Sequence, residues 1–351
     1  MFRKQIERQL DRAWYGDAKW SRALLPFEAL YARSALKAKI RGQISADNNA
    51  LGIPLIVVGN ISVGGTGKSP VVIRLAKELK NRGYRPGILS RGYGAQTEVH
   101  PCLVNAEDDA AKVGDEPLMM AASLPDIPIV IDRDRLRGAQ YLKSQSQVDL
   151  VICDDGLQHY ALPRDIEIVV LDAERGIGNG HLIPVGPLRE PVDRLGSVDY
   201  ILCNGALSSL SSNLSALVNY EFAVQPKSWQ SVKTGESKTL DQVDLGDSVL
   251  AVSAIGNPAR FHNTLRALGL QPKALVFPDH HAFKAEELGS AVRDSGLPLV
   301  MTAKDAVKCR SFADSDWLAL QVEAELPEGF IDSILESLRA KISTLSGRTN
   351  E

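Results

Sequence analysis

The sequence has few cysteines, no long apolar run and no excess of basic charge. Its 351 residues include four cysteines, and none form a Cys-x-x-Cys pair, which argues against a disulfide framework or a zinc knuckle. No apolar stretch reaches the roughly 18 residues that a membrane-spanning helix requires. The formal net charge of −3 argues against a general nucleic-acid binder, which would carry a basic excess. The composition is that of a globular protein long enough for two domains.

The strongest motif occupies residues 54–70, where an apolar strand, a glycine-rich turn and an amphipathic helix follow one another. Small residues in such a turn let backbone N–H groups surround a polyphosphate, and the helix N-terminus adds partial positive charge. The nucleotide-binding residues predicted from this motif are Gly64, Gly65, Thr66, Gly67, Lys68 and Ser69.

Two residues of the motif have expected chemical roles. Lys68 is expected to reach the β- and γ-phosphates, and Ser69 to place its hydroxyl on Mg²⁺. The strict P-loop pattern requires a glycine where Ser62 stands, so the alternative is a glycine-rich turn with a surface lysine. Because the strand and the helix flank the turn on the expected sides, the pattern favours a nucleotide site.

Strands alternate with helices through most of the chain, which predicts an α/β fold with a mostly parallel sheet and helices on both faces. After the P-loop, strands are predicted at 85–90, 127–131, 148–153, 166–171 and 198–203. A second α/β unit is predicted from strands at 248–252, 274–277 and 297–301. In sheets of this kind ligands bind at the carboxyl ends of the strands, so polar residues there are the candidates for a site.

Acidic residues and a histidine follow two of these strands. Asp154 and Asp155 come directly after one strand, where a carboxylate is the usual second half of a P-loop site and holds Mg²⁺. Asp279 and His280 follow another strand, and an Asp beside a His commonly fixes the imidazole tautomer for catalysis. A polar loop with a capping histidine explains the second pair equally well.

Three other segments are ambiguous. Asp115 and Glu116 precede a predicted helix, where an N-cap role is the alternative to chemistry. Arg135 belongs to a group of three arginines that fits either a phosphate clamp or a solvated helix start. The loop 176–191 has too many Gly and Pro residues for a helix or strand, and a loop of this length is usually functional.

The N-terminal segment, residues 1–46, is basic, with ten Lys and Arg against four acidic residues. Phe2, Ile6, Leu10 and Trp14 repeat every four residues and form one face of a predicted helix. Such a helix either rests in the plane of an anionic bilayer surface or packs on the protein's own core. The pattern leaves both open. No secretory signal is expected, because a charged segment begins at Arg3 where a signal peptide would have an apolar region.

Seven motifs occur in the order GNISVGGTGKSP, SRGYG, GDEP, DDGLQH, PVGPLREP, DHHAF and TAKDAVK. Together with the basic, aromatic N-terminus, they closely resemble the tetraacyldisaccharide 4′-kinase family, the lipid A 4′-kinases of Gram-negative bacteria. The resemblance covers nearly the whole chain, to about residue 325. It implies two α/β/α domains joined by a two-stranded linker, with ATP and Mg²⁺ as cofactors. The implied reaction phosphorylates the 4′-hydroxyl of tetraacyldisaccharide 1-phosphate and gives lipid IVA.

The resemblance also implies roles for individual residues. Asp115 is the implied base, and His280, with Asp279 beside it, orients or activates that base from the second domain. Lys68 neutralises phosphate charge. The implied metal ligands are Ser69, Asp154, Asp155 and Glu116. The implied contacts to the disaccharide and its 1-phosphate are Arg135, Gln158, His159, Arg189 and Glu190.

The implied domains are N-terminal membrane-surface helices (1–46), a P-loop kinase domain (47–217), a linker strand and hinge (218–247), a second α/β domain (248–316), and a return strand with a C-terminal helix (317–351). A lipid substrate favours membrane contact for the N-terminal helices and a peripheral position at the cytoplasmic face of the bacterial inner membrane. Neither a nucleic acid nor an obligate protein partner is expected. The alternative function is a membrane-associated P-loop switch ATPase, which would transfer phosphate to water instead of a lipid.

Overall fold

The computed structural model describes residues 2–46 and 51–348, apart from the side chains of 2–8 and 344–348. It divides the chain into two compact units: unit 1 comprises residues 1–91, 126–223 and 324–351, and unit 2 comprises 92–125 and 224–323. The predicted kinase domain, 47–217, contained residues 92–125, which the structure groups with unit 2. Residues 1, 47–50 and 349–351 of the predicted segments lie outside the described residues.

Strands and helices are numbered in chain order. The strands are β1 (Leu55–Gly59), β2 (Pro86–Ser90), β3 (Cys102–Leu103), β4 (Ile129–Ile131), β5 (Leu150–Asp154), β6 (Ile166–Asp172), β7 (Tyr200–Asn204), β8 (Tyr220–Ser231), β9 (Ser237–Thr239), β10 (Ser248–Ser253), β11 (Gln271–Val276), β12 (Leu299–Thr302) and β13 (Leu318–Glu325). The helices are α1 (Phe2–Tyr15), α2 (Leu25–Ala46), α3 (Lys68–Asn81), α4 (Ala110–Val113), α5 (Asp115–Ser123), α6 (Arg135–Gln145), α7 (Ser212–Ser215), α8 (Pro258–Ala267), α9 (Ala285–Ser295), α10 (Ala303–Ala306) and α11 (Glu328–Arg348).

Unit 1 is built on parallel strands in the order β7-β6-β1-β5-β2-β4. Every residue of β1, β5 and β6 is buried. Because successive side chains of a strand point to opposite faces, this burial shows that both faces of the sheet are covered. The predicted α/β fold with a mostly parallel sheet is confirmed.

The central position of β1 explains where the polar motifs meet. It pairs with β5 on one side and β6 on the other, with Val58 opposite Asp154. The glycine-rich turn follows β1, and Asp155 follows β5. Because the two strands are parallel and in this register, both segments leave the sheet at the same edge.

Unit 2 has a smaller sheet in which β11, β10, β12 and β13 are parallel neighbours. Alternate residues of β10 enter two separate hydrophobic clusters: Leu250 and Val252 join one, and Val249 and Ala251 join the other. Apolar residues therefore fill both faces of this sheet as well.

Residues 225–247, part of the predicted linker strand and hinge (218–247), contain ordered strand structure. Strand β8 continues to Ser231, and its residues Ser228–Gln230 pair antiparallel with β9. Trp229 is only 3% exposed and packs in the core of unit 2. Composition did not predict this part of the strand, because polar residues flank Trp229 and a half-exposed strand needs few apolar residues.

Helices α1 and α2 pack against the rest of unit 1 through aromatic side chains. Trp14 Nε1 donates a hydrogen bond to the main-chain oxygen of Pro184 (3.2 Å), and the Tyr31 hydroxyl donates to that of Arg189 (2.9 Å). At Gly42 an added Cβ would lie 2.5 Å from Tyr160 Cβ, so α2 approaches the core too closely there for a larger residue. Phe2 and Ile6 belong to the predicted apolar face, but their side chains are not among those that the structure describes.

The second helix is longer than predicted. Pro26 is predicted to separate two helices of the N-terminal segment, and it lies in the first turn of the second helix, α2, where proline is well tolerated. The helix then continues to Ala46, beyond the predicted end at Lys39.

The outer face of α2 combines exposed apolar and basic side chains. Within the described ranges, no helix combines the length and apolar character needed to cross a membrane. The exposed residues that form this outer face are Leu30, Arg33, Leu36, Lys37, Ile40, Arg41 and Ile44.

Candidate active site

The glycine-rich loop of unit 1 has the backbone conformation of a phosphate cradle. Gly64 and Gly67 have φ angles of +118° and +99°, a region that residues with a Cβ rarely adopt. Helix α3 begins directly after Gly67, so its free N–H groups and positive dipole end lie at this loop. The Thr66 hydroxyl is buried, and the described residues offer it no hydrogen-bond partner.

Asp155 lies between two cations. Its carboxylate is 3.5 Å from Lys68 Nζ and accepts hydrogen bonds from Arg189 Nη1 at 2.9 and 3.0 Å. Burial raises the pKa of Asp155, but the charges of Lys68 and Arg189 outweigh it and hold that pKa far below its ordinary value. The Asp155 carboxylate is therefore ionised at neutral pH.

The same arginine links Asp155 to the predicted substrate residues. Arg189 Nη1 also contacts Gln158 Oε1 at 3.3 Å, and Gln158 Nε2 donates to Glu190 Oε1 at 2.8 Å. Glu190 is buried and also accepts a hydrogen bond from the Tyr160 hydroxyl. Three of the five residues predicted to contact the disaccharide therefore form one continuous network with Asp155.

Beyond Glu190, the network continues into residues that sequence reasoning missed. Arg194 Nε lies 3.3 Å from Glu190 Oε2, and the Arg194 guanidinium also pairs with Glu167. Arg164 Nη1 pairs with Glu167 Oε1 at 2.7 Å. The spacing of four residues between Glu190 and Arg194 was the only signal in the sequence, and it is too common to identify a site.

Arg135 and His159 are the remaining predicted substrate residues. Arg135 is the first residue of α6, is only 3% exposed, and donates to the main-chain oxygen of Asp132. Burial and the charges of Arg135 and Arg164 lower the pKa of His159 to about 4. His159 is therefore neutral at physiological pH and offers a hydrogen-bonding imidazole without a charge.

Unit 1 supplies oxygen donors suited to Mg²⁺. Asp154 is buried at the end of β5, and Ser69 lies in the first turn of α3. Two carboxylates and a hydroxyl beside a phosphate cradle match the ligands that Mg²⁺ takes together with phosphate oxygens and water. In the parts of the chain that the structure describes, no three His, Cys, Asp or Glu residues form a metal-binding group.

Unit 2 contains a carboxylate–histidine pair. Asp115 is the first residue of α5 and is 5% exposed, and His280 Nδ1 lies 3.0 Å from both of its carboxylate oxygens. His280 Nε2 lies 3.7 Å from Asp279 Oδ2. The sequence placed Asp115 and His280 in different domains, whereas the structure places both in unit 2.

The neighbouring histidine has a different environment. His281 stacks on Phe277, with ring centroids 4.6 Å apart, and its Nε2 lies 3.0 Å from Glu287 Oε2. Its partners belong to the adjacent loop and to α9. Of the two consecutive histidines, His280 is the one that faces Asp115.

A lysine that had no predicted role lies beside this pair. Lys304 Nζ is 2.9 Å from Glu116 Oε1, 3.3 Å from Asp279 Oδ1 and 4.0 Å from Asp115 Oδ2. Burial raises the pKa of Asp115, but the His280 hydrogen bond and the Lys304 charge outweigh it and leave that pKa below its ordinary value. Lys304 belongs to the TAKDAVK motif, but the motif gave no indication of its partners.

Residues Asp155 and His280 share an unusual backbone conformation. Their φ angles are +49° and +61°, values that are uncommon for residues other than glycine. Such conformations cluster at functional sites. Both are predicted site residues, but Gln147 also has a positive φ and no predicted role, so the site roles of Asp155 and His280 stay predictions.

A phosphate cradle on a parallel α/β sheet, with a lysine and paired aspartates at the adjacent strand, defines a P-loop enzyme that uses a nucleoside triphosphate. The family model described as tetraacyldisaccharide-1-P 4′-kinase matches residues 20–339. The chain belongs to this family of ATP-dependent lipid A 4′-kinases, as the resemblance predicted. The switch-ATPase alternative is not favoured.

Individual relatives agree with this assignment. The tetraacyldisaccharide 4′-kinases of Pseudomonas aeruginosa strain LESB58 and Pseudomonas putida strain F1 are 45% and 44% identical over 335 residues, covering 94% of this chain and 97% of each relative. The crystal structure of "apo" form LpxK from Aquifex aeolicus in complex with ATP superimposes with a TM-score of 0.69 at 28% identity. That match covers 92% of this chain and 99% of the Aquifex chain.

Replacing Glu167 with Gln should destabilise unit 1 in a pH-dependent way. Burial raises the pKa of Glu167, but Arg194 and Arg164 outweigh it and lower that pKa. Its stabilising contribution is therefore present above the ordinary Glu pKa of about 4.3 and is lost as the pH falls through the lower folded value. At neutral pH we expect a loss of about 3 kcal/mol, and a smaller difference in acid.

Hydrogen exchange of the β6 amides, followed from neutral pH into acid, measures this difference. Glu174→Gln is the matched control, because Glu174 is exposed and lies two residues after the end of β6. A difference between Glu167→Gln and the unmodified protein that grows on acidification would contradict the ion-pair explanation.

Proposed function

We propose that the chain transfers the γ-phosphoryl group of ATP to the 4′-hydroxyl of tetraacyldisaccharide 1-phosphate, giving lipid IVA, and that it does so with the residues described above. The family assignment supports the reaction. The observation that supports the residue roles is the cationic setting of the P-loop, where Lys68 and Arg189 flank Asp155.

Unit 1 binds the nucleotide in this proposal. Backbone N–H groups of residues 64–69 hold the phosphates, and Lys68 neutralises the charge of the β- and γ-phosphates. Ser69, Asp154 and Asp155 would hold Mg²⁺, which when bound supplies further neutralisation of phosphate charge. Glu116 is left out of this ligand set, because its carboxylate is paired with Lys304 at 2.9 Å.

Asp115 acts as the general base. A sugar hydroxyl is a poor nucleophile, so its proton must be accepted as the phosphoryl group is transferred. The Asp115 carboxylate remains ionised because its pKa is lowered, and the imidazole of His280 fixes its orientation through Nδ1. Asp279 lies on the other side of the same imidazole and holds its orientation.

The five predicted substrate residues divide into two roles. Arg189, Gln158 and His159 are partly exposed and are proposed to contact the disaccharide or its 1-phosphate. Glu190 and Arg135 are 5% and 3% exposed, so they are proposed to orient their neighbours. Glu190 does so through Gln158 and Tyr160.

The reaction is tested with purified protein, ATP, Mg²⁺ and tetraacyldisaccharide 1-phosphate in detergent micelles, with mass analysis of the lipid. We expect a product heavier by one phosphoryl group, and no such product with Lys68→Ala, because the phosphate charge is then uncompensated. ATP consumption with an unchanged lipid would contradict the proposal and indicate the switch ATPase.

The base is tested by Asp115→Asn and His280→Ala in the same assay. We expect each to lower kcat by about 10²- to 10⁴-fold, the usual contribution of general acid–base catalysis, while ATP affinity is retained. His281→Ala is the matched control and should keep most of the activity, because His281 faces Glu287. Near-normal turnover in either test variant would remove that residue from the mechanism.

We further propose that the outer face of α2 rests on the anionic cytoplasmic surface of the inner membrane. Its apolar residues Leu30, Leu36, Ile40 and Ile44 are 50–62% exposed, and basic residues lie between them. This combination is typical of helices that lie in the plane of a bilayer and bind anionic lipids. The opposite face of α2 carries Tyr31 and Gly42, which contact the core.

Replacing Ile40 with Glu should weaken binding to vesicles of phosphatidylcholine and phosphatidylglycerol by about tenfold or more, because apolar burial is lost and a like charge faces the anionic surface. Vesicle sedimentation measures the bound fraction. Val99→Glu is the control, since Val99 is 70% exposed but lies outside α2. Equal loss in both variants would show that the effect is not specific to this face.

A further inference from the structure

Lys304 lies among the carboxylates of the Asp115–His280 pair. It is in the first turn of α10, directly after β12, and its side chain is 14% exposed. Its Nζ reaches Glu116 and Asp279 within hydrogen-bonding distance and lies 4.0 Å from Asp115. One largely buried ammonium group therefore lies within 4.0 Å of three acidic side chains, and two of these, Asp115 and Asp279, flank His280.

Three carboxylates this close together repel one another unless cations compensate them. Lys308, one turn later, lies 3.9 Å from Asp115, but it is closer to Asp305, at 2.8 Å. Its charge is therefore shared with a fourth carboxylate. Lys304 is the principal compensating charge for Glu116 and Asp279.

Hydrogen bonds to Ala254 anchor the two segments that carry Lys304 and His280. The Ala254 N–H, just after β10, donates to Asp305 Oδ2 at 3.0 Å, and the Ala254 carbonyl accepts from the His280 N–H at 3.3 Å. Asp305 follows Lys304 in the chain. Hydrogen bonds to one residue, Ala254, therefore anchor both the residue after Lys304 and the main chain of His280.

We propose that Lys304 is a positioning residue for the Asp115–His280 pair: it engages Glu116 and Asp279, so that both oxygens of Asp115 are left to face the imidazole. Without the ammonium group, the charge of Glu116 next to Asp115 is unbalanced and displaces the pair from its 3.0 Å geometry. The inference rests on the proposed function, because there Asp115 is the base.

The variants are Lys304→Met, Lys304→Arg and the double variant Lys304→Met with Glu116→Gln. The first removes the charge, the second keeps it, and the third removes it together with its closest partner. Arg310→Met is the matched control, because Arg310 forms an exposed ion pair with Glu107 in the same unit.

Two measurements are made on each variant. Side-chain ¹⁵N NMR signals of His280, assigned with His280→Gln, report the Asp115–His280 hydrogen bond without any need for kinase activity. In the lipid assay, kcat and the KM for ATP are measured separately. We expect Lys304→Met to shift the His280 signals and lower kcat about 100-fold, as small displacements of catalytic groups do, with KM for ATP unchanged.

Charge restoration separates positioning from a general loss of structure. Lys304→Arg should keep most of kcat, and the double variant should recover about tenfold over Lys304→Met, as expected for directly interacting residues. If Lys304→Met does not fold, the double variant tests the proposal instead, because its local charge balance is restored. A folded double variant with wild-type His280 signals supports the proposal.

Unchanged His280 signals in Lys304→Met, or no recovery in the double variant, would overturn the inference. A wild-type protein that phosphorylates no lipid would instead overturn the proposed function, and the NMR comparison would still decide whether Lys304 positions the pair. Arg310→Met should match the wild type in both measurements.

Discussion

A carboxylate enclosed by protein stays ionised only where cations or hydrogen-bond donors compensate it, and this requirement organises the polar residues of both units. In unit 1, Asp155 is held between Lys68 and Arg189. In unit 2, Asp115 faces His280 and lies near Lys304. In unit 1 the parallel sheet brings Lys68 and Asp155 together, because segments that leave the adjacent strands β1 and β5 at the same edge become neighbours in space.

Local sequence patterns predicted the α/β fold and the P-loop because both depend on nearby residues. The run Leu55–Val58, the glycines after it and the amphipathic helix each follow from spacing within a few turns of chain. The continuation of β8 through residues 225–231 was missed because polar residues flank its one buried side chain, Trp229. Its burial depends on partners supplied by the rest of unit 2.

Residues whose roles depend on long-range contacts could not be predicted in the same way. Lys304 contacts Glu116 across 188 positions of sequence, and no local pattern marks that pairing. Motif resemblance indicated Asp115 and His280 but not that they share a unit, since residues 92–125 are separated from 224–323 in the chain. The roles of individual site residues remain predictions for experiment.

The positive φ angles of Asp155 and His280 restrict which residues evolution can substitute there. A side chain with a Cβ costs roughly 1–2 kcal/mol in this conformation, and apart from Gly it is mainly Asn, Asp and His that adopt it. Asn at either position therefore keeps the main chain intact while changing the chemistry, whereas Val or Ile would alter both. Backbone geometry therefore limits which residues can occupy these two positions, in addition to any limit that catalysis sets.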